Sequence, residues 1–172
     1  MKKKMFVSLL LFFFMALIIT GCNDEKYDSL DEVIKHESSL GKKTIKCTLS
    51  KNDSANNYNL NSSYKVHSEN GIVNYVETVE KITSTDSSVL KQFENNLNNL
   101  YSNMNSEYGG YTYNIVNNNI EVIATTKIDY TTFDVAKLIS DDPSAKYMIN
   151  SDNKITLDCI LQTYKQLGAV CE

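Results

Sequence analysis

The side chains able to do chemistry in this sequence are two histidines, 21 carboxylates, four cysteines and eleven tyrosines. Neither His36 nor His67 has a cysteine or carboxylate at metal-ligand spacing, so the pattern predicts no zinc site. Asp141-Asp142 and Asp152-Asn153 lack the spaced ligands and central glycine of a calcium loop and read as helix caps and turn formers. The sequence has no Gly-x-Ser-x-Gly elbow, no phosphate-cradling glycine loop and no Ser-His-Asp order in a motif context. The expectation is therefore no enzyme, no metal and no cofactor. Glu77 and Glu80 fall on opposite faces of a regular strand, which denies them a paired acid and base role and predicts a solvated strand face. Among the tyrosines most inward positions predict core packing. Tyr108, Tyr111 and Tyr113, beside Gly109-Gly110, are the candidate binding surface, because tyrosine offers a rigid apolar face with a polar tip.

The cysteines depend on the amino terminus. Lys2, Lys3 and Lys4 precede an apolar run from Met5 to Ile19 that is too short to span a bilayer comfortably and is followed at once by polar sequence, the pattern of a secretory signal peptide. Ile19-Thr20-Gly21-Cys22 resembles a bacterial lipobox, which implies diacylglycerol attachment to Cys22 and cleavage before it. The expected protein is lipid-anchored on the outer face of the cell membrane, and loss of residues 1 to 21 takes its formal charge from -4 to -7. With Cys22 lipidated, Cys47, Cys159 and Cys171 share one possible bridge in an oxidising compartment. Cys47 alternates with Ile45 and Leu49 on an inward strand face, and Cys171 follows the last helix where the chain end can dock beside that strand. The expected pair is Cys47 with Cys171. Cys159 lies opposite Leu157, Ile160, Leu161 and Tyr164 on that helix and is expected to be an exposed free thiol. No Cys-x-x-Cys supports redox catalysis.

The elements that must position these groups begin after an acidic tether, residues 22 to 41, with a capping box at Ser29-Leu30-Asp31-Glu32. Ile45, Cys47 and Leu49 alternate on a first strand, and a loop from Ser50 to Asn57 leads to a second with Tyr58, Leu60, Tyr64 and Val66. Asn70-Gly71 predicts a type I′ hairpin turn into a third strand, Ile72 to Thr83, whose broken alternation points to a bulge or to burial on both faces. Asp86 caps a helix with Leu90, Phe93, Leu97, Leu100, Met104 and Tyr108 at helical spacing, closed by Gly109-Gly110. A second hairpin places Tyr111, Tyr113 and Ile115 on one strand and Ile120, Val122, Ala124, Ile128 and Tyr130 on the inner face of the next. Thr131 to Asp134 reads as a capping box, Asp142-Pro143 as another helix start, and Thr156 and Gly168 bracket the last helix. The order βββ-α-ββ-α-α predicts one α+β domain over residues 42 to 172, an antiparallel sheet of about five strands with helices on one face.

Composition narrows the partners. All 17 basic residues are lysine, and with a net charge of -4 the chain is unsuited to nucleic acid. Lys43-Thr44-Ile45-Lys46-Cys47, Glu107-Tyr108-Gly109-Gly110-Tyr111-Thr112-Tyr113, Lys127-Ile128-Asp129-Tyr130 and Leu167-Gly168-Ala169-Val170-Cys171 together resemble the YehR-like family of small bacterial lipoproteins. That resemblance implies an extracytoplasmic α+β lipoprotein and, since the family is one of unknown function, supplies no active-site residues. The expected role is a non-enzymatic module at the cell envelope that binds a protein or small ligand. The alternative is a structural or accessory subunit of an envelope complex, marked by an exposed apolar patch on the sheet or the long helix.

Overall fold

The computed structural model describes residues 41 to 172. The signal peptide, the lipobox with Cys22, His36 and nearly all of the tether lie outside the described residues. Three long strands come first: β1 (Lys42–Asp53), β2 (Tyr58–Glu69) and β3 (Ile72–Thr83). They are followed by α1 (Ser87–Tyr108), β4 (Tyr111–Asn117), β5 (Glu121–Asp129), α2 (Val135–Asp141), a 3-10 helix (Pro143–Met148), α3 (Leu157–Gln166) and β6 (Val170–Cys171). The strands form one antiparallel sheet in the order β4-β5-β3-β2-β1-β6. The α+β class is as expected. The sixth strand exceeds the expected count because Val170–Cys171 is too short to announce itself by alternation.

Side chains that share a register row share a face. The inner face carries Ile45, Val66, Val76 and Ile128 in one row and Cys47, Tyr64, Thr78 and Thr126 in the next. Beyond them lie Leu49, Ser62, Glu80 and Ala124, and then Leu60, Ile82 and Val122. Leu90, Phe93 and Leu97 of α1 and Leu157 and Ile160 of α3 complete one core against this face. Asp86 starts α1 by accepting the Ser88 amide at 2.8 Å, which satisfies one of the free N–H groups of the first turn. At 22 residues α1 is about 33 Å long and reaches across the sheet.

Turns set the register. Asn70 and Gly71 adopt φ of 52° and 77°, the left-handed pair a type I′ turn needs. Ser50 to Asp53, expected in a loop, instead extend β1, so the first hairpin turn is confined to residues 54 to 57. The bulge expected in the third strand is present: Ser68 pairs with Val73 and His67 with Tyr75, leaving Asn74 unmatched. It puts Val73 and Val76 on the same face, which accounts for the broken alternation. Ile120 is 72% exposed in the β4–β5 turn and not on the inner face. The cap of α2 is Asp134, which accepts the Lys137 amide at 2.8 Å, and not Thr131.

Cys47 and Cys171 are disulfide-bonded and directly opposed in the β1–β6 register, as expected. Cys159 corrects the sequence reading. It is 1% exposed, and no cysteine among the described residues is a free thiol. The amphipathic argument fails because α3 is buried on two sides, with Thr163 as well as Leu157 and Ile160 enclosed.

Candidate functional site

The face of the sheet away from the helices is left uncovered by the described residues. Across its middle lies a groove of about 460 Å³ lined by residues of β2, β3, β4 and β5. Its floor is Val79, 45% exposed, with Ser63 and Thr125 as its register partners. Asn114 and Thr112 supply the β4 side. One row along, Glu77 stands between Lys65 and Lys127. The groove thus presents hydroxyl and amide groups at one end and two ammonium groups with a carboxylate at the other.

A second group borders that charged end. His67 Nε2 lies 3.3 Å from Glu77 Oε2, and His67 Nδ1 lies 3.0 Å from Thr44 Oγ1. The His67 ring stacks on Tyr75 at 4.1 Å between centroids, and Lys127 Nζ sits 4.3 Å from the Tyr75 ring centre. This answers the sequence expectation that His67 has no carboxylate beside it: Glu77 is ten residues away and arrives through the β2–β3 register, invisible to a search by spacing.

Tyr108, Tyr111 and Tyr113 do not form a groove. Tyr111 is buried in the core, and both Tyr108 and Tyr111 pack around Phe133, at 5.5 and 5.9 Å. Tyr113 faces the helices as well: it shares the row of Thr78 and Thr126, and its ring lies 5.6 Å from that of Tyr101. Gly110 shows why the aromatic segment turns inward. Its φ is +73°, and a side chain there would meet the Asp129 carbonyl oxygen at 2.7 Å, so the chain after α1 is pressed against the end of β5.

The inner face holds the second unexpected feature. Glu80, read from the sequence as part of a solvated face, points toward the helices, where its Oε2 accepts the Tyr101 hydroxyl at 2.6 Å. Burial pushes its carboxyl above the usual glutamate range, and the Tyr101 hydrogen bond opposes that shift. The phenols of Tyr64 and Tyr101 are raised by burial and then by the Glu80 charge, Tyr64 to about 12. Tyr164, stacked on Tyr64 at 4.3 Å, is raised by burial, with neighbouring phenols and Glu80 adding to it. Tyr101 was missed because Leu100 competes for the same helical stripe; the structure buries Tyr101 and leaves Leu100 half-buried.

No family model and no curated protein matches this chain. Among solved structures, it is similar to the NMR structure of the E. coli YehR protein, at 15% identity over 77% of this chain and 93% of that one, with a TM-score of 0.48. It is also similar to the NMR structure of a protein from Streptococcus pneumoniae TIGR4, at 12% identity over 90% of this chain and 92% of that one, with a TM-score of 0.46. These are similarities of fold, and neither bears on the site or its ligand.

Proposed function

We propose that this chain is a YehR-like lipoprotein, anchored through Cys22 at the outer face of the cell membrane, that acts without catalysis as a binding module. The open sheet face is its binding surface. The observation that carries this reading is the groove floored by Val79: an open depression, more apolar than polar in its lining, on a face that the helices among the described residues leave uncovered. Its donors and its mixed charges suit a polar ligand bearing hydroxyl groups, or an extended segment of an envelope protein. The Thr44–His67–Glu77 contacts resemble the hydroxyl, imidazole and carboxylate of a nucleophilic site. His67 and Glu77, however, lie on β2 and β3, which are paired along both edges, so the backbone N–H groups beside them are engaged in the ladder and are not free for an oxyanion hole.

One observation favours the accessory-subunit reading. Val79 and Val116 are both exposed in neighbouring rows of the open face, with Ile123 opposite Val116. That strip suits a partner protein's apolar residues more than a small polar ligand.

The test uses the Cys22→Ala form secreted from the native cell and a second form that also carries Val79→Arg, which fills the groove from an exposed position. Amide shifts of Ser63, Val79 and Thr125 are followed while envelope fractions are added. Saturable shifts abolished by Val79→Arg are expected; shifts unchanged by it would refute the groove. Intact mass of the wild-type protein reports the anchor: a diacylglyceryl thioether on Cys22 is expected, and an unmodified or disulfide-bonded Cys22 would contradict it.

A further inference from the structure

Glu80 is a half-buried carboxylate on the inner face, and among the described residues no cation stands beside it. Among those residues its one hydrogen bond comes from Tyr101, on Oε2, and no lysine or histidine contributes to its ionisation. A charge removed from water without a counter-charge is costly, so such a group either keeps its proton or takes its cation from a bound molecule. The residue is half-buried, not sealed. Directly opposite it on β2, Ser62 is 4% exposed and its Oγ has no hydrogen-bond partner. Ser62 Oγ lies near the Tyr64 hydroxyl, but not in hydrogen-bonding geometry. Burial raises the phenols of Tyr111, Tyr130 and Tyr164, and neighbouring phenols add to the shift at Tyr111 and Tyr164.

We propose that Glu80, Ser62 and the Tyr64 and Tyr164 hydroxyls form a recessed site, separate from the open-face groove, for a primary ammonium group. Such a group offers three N–H donors. The site offers the acceptors: the free Oε1 of Glu80, the orphan Ser62 Oγ and the phenol oxygens. An ammonium fits better than a hard metal ion. Calcium takes six to eight oxygens, often backbone carbonyls, and the carbonyls of β2 and β3 here are committed to the sheet. The described residues also contain no cluster of three or more metal-ligating side chains. Tyrosine rings around the carboxylate would add attraction for the alkyl chain that carries the nitrogen. The natural ligand is accordingly a small amine or the amino end of a larger molecule.

The experiment titrates the full-length protein in detergent with methylammonium chloride, tetramethylammonium chloride and potassium chloride at matched ionic strength. Ring resonances of Tyr64, Tyr101 and Tyr164 are observed by NMR. Saturable shifts with methylammonium alone are expected, since tetramethylammonium has charge without donors and potassium has neither donors nor an alkyl group. Glu80→Gln, which keeps the acceptor for Tyr101, should abolish them. Asp141→Asn, at an exposed carboxylate of α2 paired with Lys137, should leave them intact. Ser62→Ala should weaken methylammonium binding about tenfold, the effect of losing one hydrogen bond to a charged group. It provides the measurement if Glu80→Gln does not fold. Equal responses to all three salts, no saturable response to methylammonium, or a response that survives Glu80→Gln or is unchanged by Ser62→Ala would overturn the proposal.

Discussion

Replacing both Cys47 and Cys171 by alanine should cost this domain about 5 kcal/mol. The two residues are 124 apart in sequence, and in the chain-entropy account a closed loop of that length removes about 5 kcal/mol of disorder from the unfolded chain. The folded state should change less. β6 has only two residues, yet its end is also held by the Lys46 N–H to the Glu172 carbonyl at 3.0 Å and the Glu172 N–H to the Lys46 carbonyl at 2.9 Å. The double variant should therefore keep its sheet and fray only at residues 170 to 172. Urea unfolding followed by tyrosine fluorescence, with trimethylamine oxide present for both proteins, gives the difference. A loss of that size is comparable with the whole stability of a weak domain, which is why the osmolyte is needed. The m-value should rise in the variant, because an unbridged chain expands further when unfolded. A loss below about 1 kcal/mol with an unchanged m-value would refute the reasoning and mean that the unfolded chain is already compact around this pair.

Glu80→Gln should stabilise the domain, and more so at high pH. The folded-state carboxyl of Glu80 lies above its ordinary value because of burial, so the native state holds the proton more tightly than the unfolded state and loses stability as pH rises through that raised value. Thermal melts of the variant and wild type should converge at acid pH and separate as pH rises; a constant gap would contradict this. Gly110→Ala should destabilise by about 1–2 kcal/mol from the left-handed backbone alone. Contact with the Asp129 carbonyl adds to that, and a melt within error of wild type would show that the approach after α1 relaxes freely. Val122→Ala, at a fully buried position, should cost about 2 kcal/mol, whereas Ile120→Lys should stay within about 0.5 kcal/mol; denaturant midpoints check the pair, and similar losses at both would place Ile120 inward after all.

Elements whose signals are local were legible in the sequence. The alternation of Tyr58, Leu60, Tyr64 and Val66, the Asn70-Gly71 turn, the Asp86 cap and the Gly109-Gly110 stop each depend on residues within a few positions, and each was placed where the structure has it. The Cys47–Cys171 bridge was legible because the C-terminal end of the chain could be put beside the strand that carries Cys47. Features that depend on strand register were not. The approach of Glu77 to His67 and of Tyr101 to Glu80, and the opposition of Ser62 and Glu80, are set by which strand lies next to which. Cys159 failed for a related reason. A moment along one helix cannot show that a second layer of chain covers its other side. The tyrosines beside Gly109-Gly110 were expected to form a binding surface, but Tyr108 and Tyr111 pack on Phe133, where the close contact of Gly110 with Asp129 brings the chain, a tertiary fact.

The claim that recognition occurs on the open sheet face is tested most directly by radical footprinting of the protein in its native membrane, compared with the same protein extracted in detergent. Tyr75 reports the open face, and Tyr108 and Tyr113 report the helix side, where they lie against Phe133 and Tyr101. Protection of Tyr75 in the membrane, lost on extraction and with Tyr108 and Tyr113 unchanged, is the expected result. Protection confined to Tyr108, or equal labelling of all three in both states, would contradict the account.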